Sequence, residues 1–250
     1  MSPFSPRRTS RANPAVALCA GLGLAATGSV LVSCGGGEDP DAGTNGVAKL
    51  EAPEIQRKYK AAADSAQAVR ITGTLVSKGV SYELDMQLRN DGGAGSVGTE
   101  GRTFRLLRVG ERMYLKADAE FWRGDGKNDA DAAKKLSGMY VRVPKGDPAY
   151  KRLSGFTDKK LMLGGLLGLH GTVDKGDRTE LGGVSTLELT GDKGAGGTLN
   201  VSLEGAPYPL ALKRAGNAGT VKLQDWNEKF TLREPAEKDR VDYGKQLPAS

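Results

Sequence analysis

The most constraining feature of this chain is a period of two. In SYELDMQLR, Tyr82, Leu84, Met86 and Leu88 alternate with Glu83, Asp85, Gln87 and Arg89. Successive side chains on a strand point to opposite faces, so this stretch reads as a strand with one dry face and one wet face. The pattern returns in TLNVSLE through Leu199, Val201 and Leu203, and in VKLQDWNEKFTLRE through Val221, Leu223, Phe230 and Leu232. Together with 71–77, 103–109, 111–117, 140–144, 172–180, 184–190 and 208–214, these runs make about ten candidate strands. The Gly-rich or polar breaks at 90–95, 191–197 and 215–219 are short, so neighbouring strands are expected to run antiparallel. With 36 glycines and five phenylalanines, the chain is expected to have many turns and a lean core.

Two segments have a different period. From about Leu50 to Arg70 the chain is rich in Ala, Lys, Gln and Glu, with Pro53 near its start, where a helix tolerates proline. Ile55, Tyr59, Ala62, Ala66 and Val69 recur at helical spacing, which predicts an amphipathic helix with a thin apolar stripe. FTDKKLMLGGLLGLHG, residues 156–171, is the most apolar stretch after the N-terminal leader, yet it contains Gly164, Gly165 and Gly168. It is too short, and with Lys159 and Lys160 too charged, to span a bilayer, so its glycine spacing does not argue for a membrane dimer. It is expected to form a short core helix whose leucines, set among small glycines, line a cavity.

The N-terminus reads as an export signal. Arg7, Arg8 and Arg11 precede an uncharged stretch, AVALCAGLGLAATGSVLVS, diluted by Gly, Ala, Thr and Ser, as in a signal peptide rather than a membrane span. Arg7-Arg8 is compatible with twin-arginine export, but the usual following Phe-Leu is absent, so the pair does not choose between the Sec and twin-arginine routes. Leu31-Val32-Ser33-Cys34 resembles the bacterial lipobox, in which the signal is cut before the cysteine and the thiol is acylated. Residues 1–33 are then the leader, and 34–49, rich in Gly, Asp and Pro, a flexible tether. Two acyl chains are what stable anchoring takes, and a diacylglyceryl group supplies both. Cys19 leaves with the leader and Cys34 is acylated, so no disulfide is expected. Losing the three leader arginines halves the formal net charge of +6, and no basic run is interleaved with aromatics, so nucleic acid is not an expected partner.

No motif supports catalysis, and no cofactor is expected. His170 is the single histidine, and without a second histidine or a free cysteine it makes neither a usual zinc site nor, in the absence of GxSxG, a convincing triad. Gly93-Ala94-Gly95-Ser96-Val97-Gly98 matches GxGxxG by letter but is followed by a strand pattern rather than a helix, so it reads as a glycine-rich turn or edge strand. Asp125, Asp129 and Asp131 lack the glycine and the terminal glutamate of a calcium loop. They read as a solvated loop and the start of a helix running into AAKKL. Arg123-Gly124-Asp125 carries too little information to count as an adhesion motif.

Cys34 with its tether, the N-terminal helix, VRITGTLVSKGVSYELDMQLRNDGGAGSV, ERMYLKADAEFW, YVRVP, GGTLNVSLEGAPYPLALKR and GTVKLQDWNEKFTL together resemble actinobacterial lipoproteins of the LppX/LprG type, which share the LolA-like fold. The resemblance covers roughly residues 50–234, leaving 235–250 as a C-terminal tail. Its most specific pieces are Met113-Tyr114-Leu115 with Phe121-Trp122, Pro207-Tyr208-Pro209-Leu210, and Asp225-Trp226. It implies an α+β fold, a strongly curved antiparallel sheet forming an unclosed barrel, with helices over the concave face and an apolar cavity for acyl chains between the layers. The glycine-heavy 91–101 stretch offers little apolar surface, which points to a smaller cavity.

On this reading the cavity lining comprises Leu161, Leu163, Leu166, Leu167 and Leu169 from the helix and Leu84, Met86 and Tyr114 from strands. The protein is expected to be a non-enzymatic lipoprotein on the extracytoplasmic face of the cell membrane, anchored through Cys34, with a lipid or other amphiphile as ligand. The composition and signal fit a high-GC Gram-positive bacterium. The alternative is an interaction or sensing module with a filled core and an envelope protein as its partner.

Overall fold

A computed structural model describes residues 41–123 and 129–242. The leader, Cys34, Asp125 and the side chain of Asp129 lie outside the described residues. The described residues all fall within one unit, Asp39–Ser250.

Alternating sequence becomes strand nearly wherever it occurs. The strands are β1 (Ala68–Ser77), β2 (Val80–Arg89), β3 (Gly92–Thr99), β4 (Arg102–Val109), β5 (Arg112–Lys116) and β6 (Tyr140–Val143), then β7 (Val173–Leu181), β8 (Val184–Gly191), β9 (Gly197–Ser202), β10 (Pro209–Arg214), β11 (Gly219–Gln224) and β12 (Arg240–Val241). They form a single sheet in the order β12-β6-β5-β4-β3-β2-β1-β11-β10-β9-β8-β7. All pairings are antiparallel except the parallel β12–β6 pair at one end. The end strands β12 and β7 do not pair, so the curved sheet stays open. Strand twist accumulated over a sheet of this width favours such curling.

Among the described residues four α-helices accompany it: α1 (Ala52–Ser65), α2 (Asp129–Leu136), α3 (Pro148–Thr157) and α4 (Lys159–Leu166). α1 buries Ala52, Ile55, Tyr59 and Ala63. It ends earlier than the periodicity suggests, because Ala66 is already extended and Ala68 pairs with Arg89 at the start of the sheet. The helix expected over 156–171 is shorter: it is α4, and Phe156 and Thr157 are the end of α3. Asp158 closes α3 and opens α4, its carboxylate accepting from the Leu161 N–H at 3.0 Å. α3 starts at Asp147-Pro148, with the Asp147 side chain accepting from the Ala149 N–H and proline in the first turn, where its missing donor is harmless.

The largest departure is β3. A glycine-rich break or edge is expected at 90–98, whereas β3 is an interior strand paired with β2 and β4 along its whole length. Its glycines are required by close approach. A Cβ on Gly95 would lie 2.1 Å from the Asp85 carbonyl oxygen, and one on Gly93 would lie 2.6 Å from Leu88 Cδ2 and 3.1 Å from the Thr157 carbonyl oxygen at the end of α3. Glycine inside a strand marks this kind of contact.

The alternation running through Phe230 and Leu232 also stops early. β11 ends at Gln224, and Asp225 and Asn227 take left-handed backbone angles. The following segment does not behave as a free tail, because Arg240–Val241 join the sheet beside β6. Part of the expected tether is docked as well: the Asn45 N–H donates to the Leu203 carbonyl at 2.7 Å, the Asn45 side chain donates to the Ser202 carbonyl, and Val47 is buried.

Candidate ligand site between sheet and helices

The inner face of the sheet carries Leu84, Met86, Leu88, Leu106, Met113, Leu115, Leu189, Leu199, Val221 and Leu223, all buried in one apolar cluster with residues of α1 and α4. The register enforces a common face: Leu84 lies opposite Val97 and Met86 opposite Gly95, while Leu106 faces Leu115. From α4 and the residues after it, Met162, Leu163, Leu166 and Leu167 enter the cluster, and Leu169 packs at its margin. Leu84, Met86, Leu163, Leu166, Leu167 and Leu169 are thus brought together in or beside one apolar cluster.

Two of the expected lining residues sit elsewhere. Leu161 is 62% exposed, on the solvent side of α4. Tyr114 is buried on the outer face. It pairs with Leu107, whereas Leu106 and Leu115 face the core, and its hydroxyl donates to Glu234 Oε2 at 2.8 Å. Burial first, then this carboxylate, pushes its pKa up. Alternation cannot separate the faces of Met113-Tyr114-Leu115, because the C-terminal segment covers the outer one and makes all three apolar positions buried.

The space between the layers is filled. Ile55, Tyr59, Ile71, Met86, Leu88, Leu189, Leu199 and Val221 are each 0% exposed, so no void large enough for water touches these side chains. The cavity expected there is therefore not open around them. The glycines of β3 help to close it, letting Met86, Leu88 and the end of α3 descend onto the strand.

Three polar ties fasten the helical cover. The Tyr59 hydroxyl of α1 donates to the Leu167 carbonyl just beyond α4, at 2.9 Å. Burial pushes the Tyr59 pKa up to about 12, since the anion would have to exist in apolar surroundings. Lys159, 3% exposed, aims its ammonium at the C-terminal carbonyls of α1. It donates to Asp64 at 3.0 Å and Ala63 at 3.3 Å, and to Ala66. Burial lowers its pKa, with the Asp64 charge acting in the opposite sense; a cation at a helix C-terminus is favourably placed. Arg108 of β4 donates to the Thr157 carbonyl at 2.8 Å and meets Asp158 at 3.4 Å, holding the α3–α4 junction to the sheet. None of these ties follows from the sequence pattern. In the sequence, Lys159 carries no signal beyond a charge that argues against a membrane span.

A gap of about 180 Å³ remains at the α1–α4 contact, lined by Lys60, Asp64, Leu163, Gly164, Leu167 and Gly168. It is smaller than the roughly 300–1,000 Å³ of typical ligand pockets. A Cβ added at Gly164, Gly165 or Gly168 would meet nothing within 4 Å, so these glycines leave space unused. His170 is exposed, and its backbone pairs with Gly196. Among the described residues there is no group of three or more His, Cys, Asp or Glu placed to hold a metal ion, and no helix is long and apolar enough to cross a membrane.

The fold is thus an open, curved antiparallel sheet with helices along one face. No family model and no curated protein matches the chain. Among solved structures it is similar to LprF from Mycobacterium bovis, at 19% identity and a TM-score of 0.49 over 74% of this chain and 99% of that one. It is also similar to the lipoprotein LppX of Mycobacterium tuberculosis, at 15% identity and a TM-score of 0.41 over 72% and 99%. A third likeness is to an uncharacterized conserved protein from Thermus thermophilus, at 11% identity and a TM-score of 0.34 over 76% and 98%.

Proposed function

We propose that the chain is a non-enzymatic lipoprotein, held on the extracytoplasmic face of the cell membrane through Cys34, that binds the acyl chains of an amphiphile between its sheet and helical cover. The observation that carries this reading is the construction of the cover. An apolar interior reaches the surface at α4, where glycines leave a gap, and beyond their apolar contacts the adjoining helices are tied by a few hydrogen bonds to main-chain carbonyls. A tie such as Tyr59 to Leu167 contributes about 0.5–1.5 kcal/mol net, which thermal motion and a ligand can offset. In this reading a ligand shifts the population from the closed conformation toward an open form.

The filled core favours a second reading, in which the same scaffold presents its surface to an envelope protein. To separate the two, the full chain is extracted from membranes in mild detergent and weighed by native mass spectrometry. The lipid-binding reading expects a population carrying a bound amphiphile beyond the covalent modification on Cys34, and faster exchange of that amphiphile in Tyr59→Phe. A chain that only ever appears unloaded, in wild type and variant alike, would overturn it in favour of the second reading.

A further inference from the structure

A separate apolar hollow, of about 430 Å³, opens on the outer face of the sheet, away from the helices; its walls include Leu181, Val184, Leu210, Ala211, Lys222 and Trp226. The face follows from register. Leu212 pairs with Val221 and both are in the core, so Ala211 and Lys222, paired one residue along, lie on the opposite side. The volume falls within the range of small-molecule sites, about 300–1,000 Å³.

Regular alternation would not build this wall. The β9–β10 pairing slips between Pro209 and Ala211, making Leu210 the extra residue of a β-bulge. Without the slip Leu210 would share the inner face with Leu212, but the bulge re-aims it into the hollow. Leu181 and Val184 flank a tight turn whose Gly182 and Gly183 both have positive φ. Trp226 is fixed on the remaining side, stacked on Tyr208 with ring centroids 4.6 Å apart and donating from Nε1 to the Pro209 carbonyl at 3.2 Å. The walls are thus set by backbone and by a clamped aromatic, and the hollow is preformed.

Two charged residues line it. Asp225 lies 3.8 Å from the Arg70 guanidinium, whereas exposed Lys222 meets no carboxylate among the described residues. β10 and β11 are interior strands, so they offer no unpaired edge to which a peptide could add as a strand. An acyl chain needs no hydrogen bonds along its length and matches a wall of this kind.

We infer that this hollow is a binding site for a single-chain amphiphile with an anionic head, of which a fatty acid is the simplest. The chain lies against Leu181, Val184, Leu210 and Trp226, and the carboxylate meets the Lys222 ammonium. The site is independent of the interior one proposed above.

The test photolabels the full chain in phosphatidylcholine nanodiscs with a long-chain fatty acid bearing a diazirine on its tail, and maps the labelled peptides. Label is expected at 181–184 and 210–226. Lys222→Glu is expected to reduce it about two- to fivefold, the scale of an exposed ion pair, while leaving labelling by the matching fatty alcohol unchanged. Leu210→Asp is expected to reduce labelling by both probes, with the thermal midpoint of each variant checking that the fold is kept. Label confined to α4 and inner-face strand residues would overturn the site while leaving the interior reading intact. Labelling of the hollow that ignores Lys222→Glu, or crosslinks from it to an envelope polypeptide in place of the probe, would overturn it as well.

Discussion

Tyr59 and Lys159 lie at the same helix junction but respond to pH in opposite ways. With the Tyr59 pKa raised to about 12, the folded chain holds the phenolic proton more tightly than the unfolded chain, whose value is 10.0. Its contribution is therefore complete below pH 10 and is lost as pH rises toward 12, by about 3 kcal/mol over that window. Lys159 is held below its ordinary 10.5, so the folded chain binds that proton less tightly, and stability rises with pH between the lowered value and 10.5. Tyr59→Phe removes the first effect. Urea titrations from pH 8 to 12 are expected to show the variant about 1–3 kcal/mol weaker at pH 8, because the Leu167 carbonyl loses its buried donor. The gap should narrow or close by pH 12. A gap of constant size would show that Tyr59 stays protonated, or that its burial is not maintained.

Elements are legible in proportion to how one-sided their burial is. β2, with Leu84, Met86 and Leu88 buried and Asp85, Gln87 and Arg89 more open, matches its alternation. β3 is not legible, because its apolar face is made of absent side chains: Gly93 and Gly95 hold room for Met86, Leu88 and the end of α3, and no periodicity records a space. The start of α3 is legible in principle from Asp147-Pro148 with Tyr150, Leu153 and Phe156 at three-residue spacing, a signal overshadowed by the stronger leucine run after it. Glycines of β3 and α4 should accordingly respond to alanine with opposite signs. Gly95→Ala forces a methyl to within 2.1 Å of a carbonyl oxygen in a sheet interior, an overpacking expected to cost about 1–3 kcal/mol. Gly164→Ala meets nothing within 4 Å and improves helix propensity, so a gain of about 0.5–1 kcal/mol is expected. Denaturant midpoints of the two single variants check the pair, and a destabilised Gly164→Ala would mean that α4 is not a settled helix.

At the scale of the molecule, the sheet has a helical layer on its inner face and a strap of chain over part of its outer face. Glu234 gathers that strap: it accepts from Tyr114, pairs with Arg112 at 2.5 Å and lies 3.6 Å from Arg240, while Asp242 meets Arg142 at 2.9 Å and β12 extends the sheet. This explains why Leu107 and Tyr114, which face away from the core, are 8% and 1% exposed. The family resemblance, which stops near residue 234, does not anticipate it, since the anchoring pairs join residues about a hundred or more positions apart. Individually such surface pairs contribute little, about 0–1 kcal/mol. The apolar area they keep covered contributes more, about 1.5–3 kcal/mol for each large side chain taken out of water. Truncation after Gln224 uncovers both residues and is expected to lower stability by about 3–6 kcal/mol, whereas Glu234→Gln, which retains the acceptor for Tyr114 but loses the charge, should lower it by about 1 kcal/mol or less. Urea unfolding followed by far-ultraviolet dichroism distinguishes the two. Equal, small losses in both would mean that the strap only rests on the sheet, and that the outer face is stable without its cover.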